Sequence, residues 1–172
     1  MADPAFLYAC AVGDHQTVKK LLDDGQDVHA QSGDIRGNRM LVTWAKTSGT
    51  RFHAIHLAAA TNDLESAKIL LGYGADVNQV LCWWALRPLH IAAYFDNLPM
   101  VELLLRNGAN VYAGDFERNQ AIHFATFSGA IQIVYELLHS GSRLDCANIR
   151  RQTPNDYALM THPTNPEAFQ SL

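Results

Sequence analysis

One pattern of apolar segments and single glycines recurs along this chain. The stretch 87–113 holds an Ala-rich apolar segment, a polar break, a Leu-rich segment and a closing glycine. Copies aligned on that glycine give the column Gly25, Gly74, Gly108 and Gly141, with successive differences in number of 49, 34 and 33. The alanine of the first segment gives the same differences through Ala9, Ala58, Ala92 and Ala125. Two independent markers therefore define four copies of one unit.

The pattern of each copy predicts two short helices joined by a sharp turn. Apolar residues of the second segments recur about three and four apart, as on one face of a helix. Such short helices are not stable alone in water, so neighbouring copies must bury that face by stacking. Between the segments stand residue types that tolerate a left-handed backbone, Gly13, Asn62, Asp96 and Gly129.

The residue after each turn is predicted to cap the second helix. Asp14, Asp63 and Asn97 offer side-chain oxygens to the first backbone N–H groups of that helix. The fourth copy has Ala130 at this position and has lost the cap.

The segments FLYACAVGD, IHLAAATND, LHIAAYFDN and IHFATFSGA, with the local patterns HAIHLA, RPLHIA and QAIHFA, resemble the ankyrin repeat. That repeat has a period of about 33 residues and a TPLHxA signature. The resemblance extends from Asp3 to about Leu159 and implies an all-α solenoid of stacked helix-turn-helix units. We expect a single domain, 1–172, divided as repeat one 3–30, inserted loop 31–52, repeat two 53–79, repeat three 87–113, repeat four 120–146 and a partial capping repeat 151–172.

Two segments depart from the repeat period. The first interval is about 16 residues too long, and the excess falls in a finger loop that contains Met40, Leu41 and Trp44. We expect this loop to be partly ordered, since a disordered linker has little reason to keep such residues. Near the C-terminus, Thr153 as N-cap and Pro154 in the first turn begin the partial fifth repeat.

Charge and composition favour a protein partner. The net charge of −4 and a pI near 6.0 provide no broad cationic field for nucleic acid or an anionic membrane. The start of the chain lacks a signal-peptide pattern, and no apolar run reaches the roughly 18 residues of a membrane helix. We therefore expect a cytoplasmic protein that is monomeric alone, with a nuclear or secreted-effector location left open.

The cysteines fit reduced thiols better than a disulfide framework. Cys10, Cys82 and Cys146 are odd in number and far apart in sequence. We interpret Cys10 and Cys146 as small buried apolar residues.

We interpret the repeated histidines as structural residues rather than as part of a metal or catalytic site. His56, His90 and His123 recur once per repeat, and the resemblance implies that they bond backbone groups. Imidazoles one repeat apart are too far from one another to share a zinc ion, whose Zn–N bonds are about 2.0–2.1 Å. His53 lies close to His56 in sequence but has no ligand-spaced cysteine or carboxylate nearby. No catalytic motif is present either, so we expect no metal, no cofactor and no enzyme activity.

The candidate binding residues are surplus aromatic side chains. In the ankyrin family, partners contact the finger tips and the two positions that follow the Ala pair of the first helix. Here those positions hold Tyr94, Phe95 and Phe127, and the fingers hold aromatic and charged residues. The predicted partner-binding residues are Trp44, Trp83, Trp84, Tyr94, Phe95, Phe116, Glu117, Asn119 and Phe127, with Arg118 and Arg150 adding specificity.

Internal packing remains the alternative for several of these residues. The inserted loop could cover Trp83 or Trp84, so that one ring is buried and one is presented. Tyr94 and Phe127 occupy one column in successive repeats and would stack side by side.

Leu70, Asp76 and Asn78 resemble an ankyrin-type site of asparaginyl hydroxylation, but the same residues are ordinary repeat consensus.

The resemblance implies a non-catalytic protein–protein interaction module, an adaptor or inhibitor that binds a protein through its concave face and finger loops. Two other functions fit the same sequence. One is a microbial host-directed effector or immunity protein, and the other is an assembly module that self-associates or belongs to a larger complex.

Overall fold

The computed structural model describes residues 4–31, 52–81 and 84–161. Over these ranges the regular secondary structure is α-helical apart from two isolated β-bridges, which confirms the all-α fold class. Most of the predicted inserted loop, residues 32–51, lies outside the described residues, and so do Trp44, Cys82 and Trp83.

The helices come in pairs that follow the sequence repeat. In chain order the described helices are α1 Pro4–Val12, α2 His15–Asp23, α3 Ala54–Thr61, α4 Leu64–Gly72, α5 Pro88–Tyr94, α6 Leu98–Arg106, α7 Ala121–Ser128, α8 Ile131–His139 and α9 Pro154–Thr161.

The chain divides into two compact units, Met1–Pro88 and Leu89–Leu172. In the first unit α1 packs on α3 and α2 packs on α4, so that equivalent helices of repeats one and two lie side by side. Its buried core includes Phe6, Val18, Phe52, Ile55, Leu57 and Leu70.

The second unit repeats this arrangement with the later helices. There α6 packs against α8, and α7 packs against α9. The buried side chains include Met100, Leu104, Ile122, Ile133 and Leu137. The predicted organisation of the whole chain as one repeat domain stays a prediction.

The left-handed turns between paired helices are confirmed. The four predicted residues have positive φ angles, 76° at Gly13, 57° at Asn62, 56° at Asp96 and 79° at Gly129. The backbone N–H of the following residue then bonds a carbonyl of the first helix, as from Asp14 to Ala9 at 2.9 Å and from Asp63 to Ala58 at 3.0 Å. Each turn therefore reverses the chain over a very short stretch.

The predicted helix caps are confirmed in two of three copies. Carboxylates of Asp14 and Asp63 accept the backbone N–H groups of Thr17 and Ser66, each at 3.1 Å. The prediction for Asn97 is wrong, because its side chain makes no capping bond; α6 has a proline in its first turn, which needs no N–H partner. Ala130 provides no cap, as expected.

The partial repeat begins at the predicted N-cap, Thr153, which also forms a reciprocal cap with Asp156 that was not predicted. Thr153 Oγ1 accepts the backbone N–H of Asp156 at 3.3 Å, and the Asp156 carboxylate accepts the backbone N–H of Thr153 at 2.7 Å. These bonds from Thr153 hold the pKa of Asp156 below its ordinary value. α9 starts at Pro154, inside this cap.

The two described cysteines differ in exposure. Cys10 is fully buried, as predicted, and burial raises the pKa of its thiol to about 12. For Cys146 the prediction of full burial is wrong: the residue is only half-buried, and its thiol donates to the Arg143 carbonyl at 3.0 Å. Cys146 lies in a surface turn after the helix pair of repeat four, where less of the chain covers it.

The left-handed turns should limit stability. We expect Gly13→Ala to lower the free energy of unfolding by about 1–2 kcal/mol, because a Cβ is disfavoured at a φ of 76°. Urea denaturation followed by circular dichroism measures this loss.

Gly72→Ala is the matched control in the same unit. Gly72 is the last residue of α4, and a Cβ there would contact nothing within 4 Å. Alanine should therefore stabilise the protein by up to about 1 kcal/mol. Equal losses in both variants would contradict the assignment of strain to the turn.

Candidate functional site

Two predicted site residues stack on each other in the second unit. Tyr94 ends α5 and Phe127 lies near the end of α7, so both occupy the same position of successive repeats. Their ring centroids are 6.1 Å apart and the ring planes differ by 17°. The predicted stacking is confirmed. Phe127 still exposes 44% of its surface, so the contact leaves apolar area open to solvent.

A third ring, which the sequence prediction missed, extends this row into a concave surface. Tyr157 of α9 lies edge-on to Phe127, with centroids 6.1 Å apart and planes at 72°. Together these rings line an open, mainly apolar cavity of about 170 Å³. We call this site the aromatic cup; its lining residues are Tyr94, Asn119, His123, Phe124, Phe127 and Tyr157.

Buried amides hold Tyr157 in place. Its hydroxyl donates to Asn119 Oδ1 at 3.3 Å, and the Asn148 amide donates to Asn119 Oδ1 at 2.8 Å and to the Tyr157 hydroxyl at 3.3 Å. Asn119 is only 8% exposed. This predicted contact residue therefore lies in the wall of the cup with its side chain engaged in supporting the third ring.

The finger between repeats three and four is a tight turn built on Asp115. One carboxylate oxygen of Asp115 accepts the backbone N–H groups of Glu117 and Asn119, each at 2.8 Å. At Gly114 a Cβ would lie 2.8 Å from the Arg118 Cα, so only glycine fits there. The turn places the Phe116 side chain at its tip, 62% exposed.

The next finger forms the same kind of turn around an asparagine. Asn148 Oδ1 accepts the backbone N–H groups of Arg150 and Gln152, each at 2.9 Å, and Ile149 stands exposed at the tip. The two fingers are joined, because the Ile149 N–H donates to the Glu117 carbonyl at 2.9 Å. Glu117 and Arg150, both predicted to contact a partner, also form an ion pair with each other.

In the first unit, Trp84 is presented to solvent. It lies in a turn closed by the Leu81 N–H, which donates to the Leu86 carbonyl at 2.8 Å, and 55% of its surface is exposed. Phe95, in the second unit, packs edge-on against Tyr94 with centroids 5.1 Å apart. Whether the inserted loop packs on a tryptophan lies outside the described residues.

The repeated histidines bond the backbone, as predicted for scaffold residues. His56 Nδ1 accepts the His53 N–H at 3.4 Å, so its Nε2 carries the proton and donates to the Gln79 carbonyl at 3.0 Å. His90 Nε2 donates to the Ala113 carbonyl at 2.8 Å. His123 Nδ1 accepts the Gln120 N–H at 3.1 Å.

Burial keeps His123 neutral beside the cup. Burial lowers the pKa of His123, and the backbone carbonyls of Gln152 and Cys146 offset part of that effect. Burial also lowers the pKa of His53 in the first unit. Both imidazoles therefore resist protonation in the folded protein.

Other candidate sites receive little support. Across residues 4–31, 52–81 and 84–161, no three His, Cys, Asp or Glu side chains cluster closely enough to hold a metal ion. No helix in these ranges combines the length and apolarity needed to cross a membrane. Asn78 lies half-buried in a turn where its N–H donates to Asp76 Oδ1 at 2.8 Å, and its modification stays a prediction.

Paired helices with left-handed turns, one regular repeat period and histidine-anchored fingers define a helical repeat protein of the kind that binds other proteins. The family model for ankyrin repeats (3 copies) matches residues 55–148, just over half of the chain. The chain belongs to the ankyrin-repeat family. The repeats of this family are, in general, non-catalytic protein–protein interaction modules.

Proteins similar to this chain match it over a part of their own length. The B-cell lymphoma 3 protein homolog of Mus musculus is 36% identical over 101 residues, which cover 59% of this chain and 22% of the mouse protein. A probable E3 ubiquitin-protein ligase of Oryza sativa subsp. japonica is 34% identical over 118 residues, 68% of this chain and 26% of the rice protein. The protein fem-1 homolog A of Danio rerio is 31% identical over 87 residues, 45% of this chain and 14% of that protein. The chain thus spans about a quarter or less of these relatives.

The buried histidines should make stability depend on pH. Unfolded histidine binds a proton below its ordinary pKa of 6.5, whereas burial holds the folded-state pKa values of His53 and His123 lower. The unfolded state then binds more protons, so the free energy of unfolding should fall as the pH drops from neutral through 6.5. Urea titrations at a series of pH values measure this loss.

His123→Gln should reduce that acid-dependent loss even if it lowers stability at neutral pH. The comparison variant is His139→Gln, which replaces an exposed histidine of α8. A constant pH slope across all three proteins would contradict a contribution from the buried imidazole.

Proposed function

We propose that this protein is a non-catalytic adaptor or inhibitor that binds a protein partner through the aromatic cup and the adjoining fingers. The observation that carries the proposal is the row of rings at Tyr94, Phe127 and Tyr157, which packs into an open concave surface. Exposed concave apolar surface of this kind commonly marks an interaction site.

The size of the cup favours a side chain of another protein over a small molecule. Pockets for drug-sized ligands commonly measure about 300–1,000 Å³. The cup, at about 170 Å³, is smaller than that range. An aliphatic or aromatic side chain inserted from a partner would cover the exposed face of Phe127 and displace water from the cavity.

Burial of these rings would supply most of the affinity. A large aromatic side chain can bury about 150–250 Å², and apolar burial contributes about 25 cal/mol per Å². Phe116 and Trp84 present further exposed rings, one in each unit. We propose Trp83 and Trp44 as additional contacts on the sequence evidence alone.

Polar residues around the cup have separate roles in the proposal. Glu117, Arg118 and Arg150 would select the partner, and the Glu117–Arg150 pair must open or be recognised as a unit. That pair is exposed, so its rupture costs about 1 kcal/mol or less. Asn119 contributes by fixing Tyr157 rather than by direct contact.

The relatives support an interaction role without indicating a partner. Their printed names describe a lymphoma protein homolog, a probable ubiquitin ligase and a fem-1 homolog, so the shared segment occurs in proteins of different kinds. Ankyrin repeats are in general protein–protein interaction modules, and such a module can serve proteins of different kinds.

Substitution of the stacked pair tests this function. We expect Tyr94→Ala combined with Phe127→Ala to weaken binding about 30-fold or more, since removal of an interface hot spot costs about 2 kcal/mol or more. Quantitative affinity capture from cells of the protein's own source, compared with the unchanged chain, measures the effect.

The control variant combines Tyr8→Ala with Tyr135→Ala, which removes two exposed rings outside the cup. It should retain binding, and circular dichroism should show that both variants are folded. Retained binding in the cup variant, or equal loss in the control, would show that the cup is not the site. Trp84→Ala alone then decides whether the first unit contributes.

A further inference from the structure

Two arginines occupy backbone positions that ordinarily favour glycine. Arg118 and Arg151 have φ angles of 61° each and stand one repeat period apart, at the same place in successive fingers. The preceding finger has Ala85 at this position, with a φ of 52°. Glycine would adopt this conformation without steric cost, so long cationic side chains here indicate a use for the charge.

The carboxylates of the two fingers are engaged elsewhere. Asp115 accepts the backbone N–H groups of Glu117 and Asn119 and the Asn119 side-chain amide. Glu117 pairs with Arg150. Within the part of the chain that the structure describes, Arg118 and Arg151 form no ion pair, and both are exposed. The two fingers carry the carboxylates of Asp115 and Glu117 and three arginines, a net charge of +1, and the guanidinium groups of Arg118 and Arg151 are exposed without an ion-pair partner among the described residues.

Apolar tips accompany these charges. Phe116 and Ile149 are the outermost apolar residues of the same two fingers, and both are largely exposed. The bond from the Ile149 N–H to the Glu117 carbonyl holds the fingers together. We call the group Phe116, Arg118, Ile149 and Arg151 the fingertip surface.

We propose that the fingertip surface binds an acidic segment of a protein partner, with carboxylates on Arg118 and Arg151 and an apolar side chain against Phe116 and Ile149. This inference rests on the proposed function and specifies the partner's chemistry. Guanidinium groups bind carboxylates through paired hydrogen bonds, which gives geometric selectivity. The chain carries a net charge of −4, whereas this surface carries exposed arginines. Their positive charge would attract an acidic partner to this surface rather than to the rest of the chain.

An acidic protein segment fits better than nucleic acid. Nucleic-acid affinity depends on many phosphate contacts at once, whereas the fingertip surface offers two free cations on an acidic protein. The adjacent aromatic cup, in the same unit, supplies apolar anchoring that a protein side chain can use.

Peptide display on the full-length chain tests the inference. A random library is selected on the unchanged protein, and the selected peptides are measured by fluorescence anisotropy. We expect the selected pool to be richer in Asp and Glu than the library. Arg118→Gln combined with Arg151→Gln should weaken these peptides about tenfold or more and reduce their salt sensitivity. Glutamine and arginine have the same Cβ and therefore the same steric cost at a positive φ, so the variant should fold.

The control is Arg106→Gln combined with Arg143→Gln, which removes equal charge from arginines already paired with Glu102 and Asp145. It should leave peptide affinity nearly unchanged. A selected pool without acidic enrichment, no selected peptide at all, equal losses in both variants, or tighter binding of a single-stranded oligonucleotide would overturn the inference. If peptide binding is lost only in the Tyr94→Ala, Phe127→Ala variant, the proposed function stands and the acidic specificity fails.

Discussion

A hydrogen bond from a buried imidazole to a backbone carbonyl of the following finger ties repeats two and three to the fingers that follow them. In the first unit it joins His56 to Gln79, and in the second unit it joins His90 to Ala113, so it connects the start of a first helix to the base of a finger. Because both imidazoles are buried, loss of the carbonyl partner would leave their Nε2 without water to replace it. The bond thus fixes the base of each of these two fingers to the helix pair that precedes it.

The repeat period made a large part of this structure predictable. Residues in one column share one backbone environment, and this explains why the four left-handed turns, two capping aspartates and the Tyr94–Phe127 stack could be inferred from spacing. Tyr157 lies one repeat period after Phe124, so extension of the columns into the partial repeat could have found the third ring.

Contacts between fingers were not predictable in the same way. The burial of Asn119, the Glu117–Arg150 pair and the partial exposure of Cys146 depend on how neighbouring turns meet, which a column alignment does not describe. Asn97 shows a second limit: its type permits a cap, but a proline in the same helical turn changes which groups need one. In the proposed division of roles, the cup supplies apolar burial, and the charged fingers supply orientation and choice of partner.

In the proposed function, another protein binds at the aromatic cup of the second unit. Photo-crosslinking can locate that contact, with p-benzoylphenylalanine placed at position 127 in the cup or at position 135 on the exposed side of α8. Mass spectrometry of the adducts should show one defined segment of the bound partner crosslinked from position 127 and little from position 135. Crosslinks formed chiefly from position 135, or equally from both positions, would show that the partner does not bind at the cup.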